Sequence, residues 1–575
     1  MANGNEETLG EQPELTTPDG EEAAPSYALL PASDTAFCLG TRPVTVRQAE
    51  TFTVLCISVL AGLLLFKNLG DQYLWQDEAQ TALLAKTILT DGIPRGYDGK
   101  NYLSQEFGIE YWGNFPYVYR WHTWLSFYLV AGSFSIFGIN TFAARFPCAL
   151  LGLATVPLTY YFARELWQSR RAATLAAFLL AVNVSFLILS RQCRYYSECT
   201  FLMLLGLWAY DRLMRRKPWA AFWFVFAAVF LFHAFYVYWG MLLAAVLIHT
   251  AIFHRDRFSA VLAWSALTFL LVLPWLVWYF WPGNAAVYKE SVADASFSTM
   301  LLRYSMMLYL YSAKLCIYVF PLILLAVFPI LAIAGLLQMR FGGKPFPWPD
   351  AATLRSSMFL MLITAIGIVT LVLATPNYFF RYVAPLVPLL CILASRILEA
   401  AMRLRISFGI IMLAMILMVS RMDDYFYEIT HHLYTPAEAI SKYLNAHANP
   451  NDVVAISYGD MPIKFYTNLR VVGGLTGEDL TPVDTARWLI LRRTTLASRD
   501  RPRDVIVFNR LYSLLQKNSR YYHPIELKCL DTIFDNRESP DDHRYQTATK
   551  ETDRDAERVL IQERIVPKSA ESKRL

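Results

Sequence analysis

The sequence predicts a mainly α-helical, polytopic membrane protein with a small extracytoplasmic α/β domain at its carboxyl end. Three observations carry this. The 575 residues are 55% hydrophobic and 17% charged, with a mean hydropathy of +0.32, too apolar for a soluble globular chain. Apolar stretches near spanning length recur as far as residue 421, enough for about 11 transmembrane helices. After residue 425 the composition turns charged. The net charge of +5 is small and sits mostly in short loops, so it speaks of topology and not of nucleic acid. Eight cysteines are scattered without a CxxC pair, which indicates neither a disulfide framework nor a zinc site.

Residues 1–42 are polar and acidic and lack the basic start of a cleaved signal peptide, so the chain up to about 45 reads as a disordered cytoplasmic tail. Apolar segments then fall at 52–68, 144–163, 172–189, 197–212, 219–234, 236–253, 260–280, 318–337, 356–374, 382–398 and 405–421. Bases cluster in Arg164 to Arg171, Arg212 to Lys217, Arg255 to Arg257, Arg340 to Arg355 and Arg396 to Arg405, loops that the positive-inside rule makes cytoplasmic. Alternation satisfies all of them only if a further apolar stretch, 121–138, does not cross. That stretch mixes Trp121, Trp124, Phe127 and Tyr128 with Ser126, Ser133 and Ser135, as helices lying at an interface do. The amino terminus is then inside and the carboxyl terminus outside. The membrane domain runs over 46–425, with a first outer loop at 70–143.

This topology gathers the notable polar groups on the outer face. Trp75-Gln76-Asp77-Glu78-Ala79 follows the first span. Its acids either cap a helix beginning near Ala79 or act on something held in the lipid; capping needs only one acid, and two are present. Arg120 and His122 stand in the same loop, Arg191, Arg194, Tyr195, Tyr196 and Glu198 in SRQCRYYSE, and Arg381 and Tyr382 in NYFFRYVAP. Each arginine alone reads equally as an anchor snorkelling to headgroups. Together, on the face where bases are disfavoured, they suggest a phosphate, because a guanidinium binds phosphate oxygens bidentately and stays charged where water is scarce. A carboxylate beside a lipid phosphate can take a proton from an incoming hydroxyl as the bond to the phosphate breaks. His122 is open to two uses, a divalent metal ion shared with Asp77 or a phosphate or hydroxyl contact; one histidine and one acid make a poor metal site. His233 in LFHAFYVYW reads as a donor contact or as a satisfied buried imidazole.

Five segments in register, LWQDEA, YRWHTWLSFYL, FGINTFAARFPCALLG, LSRQCRYYSE and FFRYVAPLVPLL, resemble the GT-C class of membrane glycosyltransferases. The similarity is to the protein O-mannosyltransferase and aminoarabinose transferase superfamily and covers roughly residues 50–425. It implies a GT-C fold, a polyprenyl-phosphate sugar donor, an outward-facing active site, and an acceptor that is a lipid, a glycan or a protein. By the resemblance Asp77 is the catalytic base and Glu78 its companion. Arg145, at the outer end of the second span, matches an arginine of the mannosyltransferases. The sequence departs from the aminoarabinose transferases where they carry Glu-Lys-Pro, reading Tyr119-Arg120-Trp121-His122 instead. Arg120 or His122 can replace the lysine at the donor phosphate, and the glutamate has no counterpart. No cofactor beyond a divalent metal ion is implied.

Beyond 425, residues 436–560 read as the extracytoplasmic α/β domain. A helix is expected at 436–446, strands in DVVAISYG and RVVGG with a helix from Met461 to Thr467 between them, and further strands in ARWLILRR and RDVIVFN. The last 35 residues look loosely ordered. The expected location is a bacterial inner (plasma) membrane. A transporter or flippase of polyprenyl lipid or polysaccharide is the alternative, set against by spans largely free of charge.

Overall fold

The structure, a computed structural model, describes residues 35–39, 42–104, 117–279, 297–319, 333, 337, 350–375, 378–432, 434–474, 479–492, 502–531, 540 and 558–565. The chain divides into two compact units, Met1–Phe52 and Thr53–Leu575. In the first, β1 (Thr35–Leu39) and β2 (Arg42–Thr45) pair antiparallel, so the expected disorder does not reach this far along the tail. All that follows concerns the second.

The helices are α1 (Val46–Phe66), α2 (Gln76–Asp91), α3 (Leu125–Phe137), α4 (Thr141–Trp167), α5 (Arg170–Ala181), α6 (Val184–Ser190), α7 (Tyr196–Met214), α8 (Ala220–Ala234), α9 (Tyr236–Phe253), α10 (Phe258–Tyr279), α11 (Phe297–Tyr318), α12 (Ala351–Ala374), α13 (Val387–Leu404), α14 (Ile406–Val419) and α15 (Met422–Thr430). A short 3₁₀ segment, Phe380–Leu386, leads into α13. Among the described residues six helical segments are long and apolar enough to cross a membrane by themselves, and two bent pairs, α5 with α6 and α14 with α15, pass as broken spans. Helices α7 and α8 occupy the expected spans 197–212 and 219–234 without meeting that standard of length and hydropathy, and 318–337 lies almost wholly outside the described residues. Helix α3, with 13 residues, is roughly 20 Å long against a hydrocarbon core of about 30 Å, which suits the non-crossing role given to 121–138. One departure is α11, where a loop was expected: Met307, Tyr311, Leu315 and Tyr318 are buried at helical spacing and form its inward stripe.

Charged side chains collect at two opposite ends of this bundle. At one end Arg212 pairs with Glu165 at 3.2 Å, Ser169 donates to Glu399 at 2.7 Å, Arg403 donates to Glu399 at 2.7 Å and Arg396 reaches the Thr353 hydroxyl at 3.2 Å. These contacts join four of the loops that carry clustered bases. At the other end lie Asp77, Glu78, Arg145, Arg191, Arg194 and Arg381. Close packing brings the helices together between: a Cβ on Gly152 of α4 would stand 2.7 Å from the Cβ of Ser190, so only glycine permits this approach of α4 to α6.

After α15 come α16 (Pro436–His447), β3 (Val453–Ile456), α17 (Asp460–Tyr466), β4 (Arg470–Gly473), β5 (Trp488–Ile490), α18 (Pro502–Lys517), β6 (Tyr522–Leu530) and β7 (Arg558–Arg564). The five strands form one sheet in the order β4-β3-β5-β7-β6, with β3 parallel to both its neighbours and β7 antiparallel to β5 and β6. Two expectations are corrected. RDVIVFN is helical and lies within α18: Val507 and Leu511 are buried and Leu514 packs beside them, a spacing that fits a helix better than a strand's alternation. Within the last 35 residues, β7 is ordered because Val559 and Ile561 alternate into the core between β5 and β6.

Candidate active site

The acid pair opens α2, and its two members face different partners. Glu78 is fully buried and accepts four hydrogen bonds, from Arg145 Nε (2.8 Å), Arg145 Nη2 (2.6 Å), the Cys193 amide (2.8 Å) and the Trp75 amide (3.4 Å). The last of these is half of a capping box. Arg145 spends its remaining donors on the carbonyls of Leu69, Gln72 and Tyr73. A guanidinium has five N–H donors and a carboxylate about four lone-pair sites, so both groups are saturated by the protein itself.

Asp77, one residue earlier, turns to a different set. Its Oδ2 lies 3.1 Å from Arg381 Nη1 and 3.6 Å from Arg194 Nη2. Arg194 also donates from Nη1 to the Asp77 carbonyl (3.2 Å) and to the Thr81 hydroxyl (3.1 Å). Its Nε is buried with no partner among the described residues. Among the described residues the Nε and Nη2 edge, one that can receive an oxyanion bidentately, is therefore engaged only through the long contact to Asp77. Arg381 stacks over Phe379 with its guanidinium carbon 4.3 Å from the ring centroid, and Trp75 stands at 5.7 Å.

His122 packs among Tyr195, Phe235 and Tyr119, with ring centroids 5.7, 5.6 and 6.3 Å away. Its pKa is pushed down to about 3, first by burial and then by Arg194, against the pull of Asp77. It is thus a neutral imidazole. Tyr195 stacks on Phe235 at 4.6 Å, and Tyr382 faces the same ring at 6.4 Å. These aromatics wall the charged cluster.

The other expected ligands lie elsewhere. Arg191 donates to the carbonyls of Leu64, Leu65, Lys67 and Asn68, closing the carboxyl end of α1 as a cation does best. Arg120 stacks on Trp278 at 4.4 Å and donates to its carbonyl, and His233 meets Trp275 at 5.3 Å, next to Trp124. A metal ion fits poorly: two guanidiniums already flank the Asp77 carboxylate, and among the described residues no cluster of three or more His, Cys, Asp or Glu could hold one.

One part of the site had no counterpart in the sequence reading. Helix α17 of the carboxyl-terminal domain docks on the turn before Asp77. Gln76 Nε2 donates to Asp460 at 2.8 Å while the Met461 amide donates to Gln76 at 3.3 Å. The Tyr466 hydroxyl takes the Leu74 amide at 3.0 Å and pairs with the Thr141 hydroxyl at 2.6 Å, and its ring lies 3.8 Å from that of Tyr73. In the sequence, Asp460 stands only as an acid between a strand and a helix, where a helix cap is the commoner use.

The helical bundle with its carboxyl-terminal sheet domain has solved counterparts in fold. ArnT from Cupriavidus metallidurans bound to undecaprenyl phosphate superposes with a TM-score of 0.54 at 13% identity, over 89% of this chain and 98% of that one. The apo form of the same protein gives 0.55 at 14% identity with equal coverage. The chain has the GT-C fold. In sequence, residues 121–278 match the family described as dolichyl-phosphate-mannose-protein mannosyltransferase. The matched segment contains His122, Arg145, Arg191, Arg194, Tyr195 and His233. An uncharacterised protein of Aquifex aeolicus (strain VF5) is 29% identical over 180 residues, 31% of this chain; the match spans about a third of that relative, 33% of its length.

Proposed function

We propose that the protein transfers a sugar from a polyprenyl-phosphate donor to an acceptor hydroxyl or phosphate at the outer face of the membrane, with Asp77 as the base. One observation carries the reading: a single carboxylate stands within ion-pair reach of two arginines from two different membrane segments. In this form the Asp77 carboxylate is engaged by both arginines. A donor phosphate entering beside them takes the Nε and Nη2 edge of Arg194 and shares Arg381, which loosens both from Asp77 and frees its carboxylate to accept a proton. The acceptor O–H then gives its proton to Asp77 while its oxygen bonds to the sugar's anomeric carbon. The bond from that carbon to the phosphate oxygen breaks, and the guanidiniums receive the charge left on the lipid phosphate. Neutral His122 is suited to a hydroxyl of the donor sugar. Glu78, Arg145 and Arg191 are assigned to holding the site and not to touching substrate. Residues 46–425 form the membrane domain and 436–560 the outer one.

Incubating the purified protein with a polyprenyl-phosphate sugar and following the release of lipid phosphate tests the activity; lipid moved across a vesicle without cleavage would establish the transporter instead. For the phosphate site, Arg194→Ala and Arg381→Ala are each expected to weaken donor binding by roughly 10- to 100-fold, the loss of one charge-assisted contact of about 1.5–3 kcal/mol. Lysine should restore only part, lacking the fork. Unchanged donor binding in the alanine variants would make these residues anchors.

The orientation rests on the segregation of charge between the two ends of the bundle. Reporters fused after residue 140 and at the carboxyl end should lie outside, and one after residue 215 in the cytoplasm. A cytoplasmic signal at 140 would mean that 121–138 crosses, and the outer placement of the arginines would be lost.

A further inference from the structure

We infer that α17 is a positioning latch: through Gln76 and Asp460 the carboxyl-terminal domain fixes where Asp77 stands, and so sets the rate of the proposed transfer. The inference rests on the reading of Asp77 as the base. Asp77 has its carboxylate held from the membrane side by Arg194 and Arg381, whereas the backbone that carries it is held from α17. Every polar contact of that latch is buried or nearly so. Asp460 is fully buried and its two oxygens are divided, Oδ1 to Gln76 Nε2 and Oδ2 to Lys464 Nζ, both at 2.8 Å. Lys464 in turn donates to the Tyr102 carbonyl of the first outer loop at 2.8 Å. Neighbouring β4 leaves room for this carboxylate: a Cβ on Gly474 would fall 2.0 Å from Asp460 Oδ1, and Gly474 has φ +66° besides.

A helix docked only for stability would not need this geometry. Burying the Asp460 and Lys464 charges is costly unless both are fully paired, and a well-packed apolar pair would serve stability as well. What the ionic arrangement supplies is direction, since an Asp460 oxygen and the Met461 amide together accept from and donate to the one side-chain amide of Gln76. The residue next to it is Asp77. A displacement of about 1 Å at a reacting group costs on the order of 100-fold in rate, so a group that pins the start of α2 acts on turnover without touching substrate. Gln76, Asp460 and Lys464 are positioning residues in this sense.

The test exchanges charge across the contact. Q76E sets a second carboxylate against Asp460; Q76E/D460N returns the network to one acid and one lysine with the bond reversed in polarity. Q76E is expected to lower kcat by about 10-fold or more with the donor KM within about twofold of the parent, and to speed amide hydrogen exchange in peptides covering 74–84. The double variant should recover both. A Q76E protein with parental kcat overturns the latch, and so does a slow Q76E that D460N fails to rescue. If Q76E does not accumulate folded, D460N is compared with Q76E/D460N: the latch requires the double variant to be the faster, and an equal or lower rate overturns it. D77N measured alongside separates the two ideas, because an active D77N overturns the base while the exchange data still decide the latch.

Discussion

Asp77→Asn is expected to leave the protein folded and in the membrane, to keep the donor bound, and to reduce sugar transfer by roughly 100-fold or more. The amide has nearly the same shape and still accepts from Arg381, but it cannot take the acceptor's proton. Removing the charge also frees Arg194 and Arg381, so donor affinity should hold or rise, whereas a purely structural acid would give a stability loss of about 1 kcal/mol with turnover intact. A transfer assay run beside a donor-binding titration and a melting curve distinguishes the outcomes. Near-parental turnover in D77N would refute the mechanism. Activity in D77N together with a dead but folded Glu78→Gln would move the base to Glu78, against the four hydrogen bonds that fill its carboxylate.

Arg145→Met should damage a different property. It leaves Glu78 fully buried and deprived of its cation, and breaking such a pair from one side costs about 3–5 kcal/mol. The expected result is a large fall in melting temperature or in folded yield, with donor affinity per folded molecule close to the parent. Arg145→Met combined with Glu78→Gln should regain part of the stability, since no uncompensated charge remains. A stable R145M that no longer binds donor would show that Arg145 is a ligand after all. The contrast with Arg194→Ala is the useful one: adjacent acids divide two arginines into one expected to hold the fold and one proposed to meet the phosphate.

The sequence made the architecture legible where one strong signal acts alone. Spans over α1, α4, α9, α10 and α12 follow from uninterrupted apolar runs, and the short α3 falls where the alternation of charged loops predicts a stretch that does not cross. Reading failed where two periodicities compete. RDVIVFN has the β-branched content of a strand, but Val507, Leu511 and Leu514 make a helical face that a short window hides. At the site, Asp77, Arg194 and Arg381 were all visible as charges on one face. What the sequence left open was which arginine serves which acid, because Asp77 and Glu78 are consecutive and only the turn of α2 sends them apart. Arg145 and Arg191 show the limit of the argument from charge. Each lies at the same end of the bundle as Asp77, and each has its donors taken by main-chain carbonyls or a carboxylate of the protein itself. The contact of Gln76 with Asp460 was invisible for another reason, since nothing local links residues 384 positions apart.

That separation fixes when in the life of a molecule the site can be finished. A ribosome adding about 5–20 residues per second needs roughly 20–80 s to travel from Gln76 to Asp460. All that time α2 lacks Asp460, Met461 and Tyr466. Every other tie on the acid pair, from Arg145, Cys193, Arg194 and Arg381, is made earlier in synthesis. The chain therefore brings its membrane helices to completion with the turn before Asp77 still unfastened, and the sheet domain that follows them is the one that fastens it. A truncated or stalled product would hold the arginines and the carboxylate in the membrane without the piece that sets them in place.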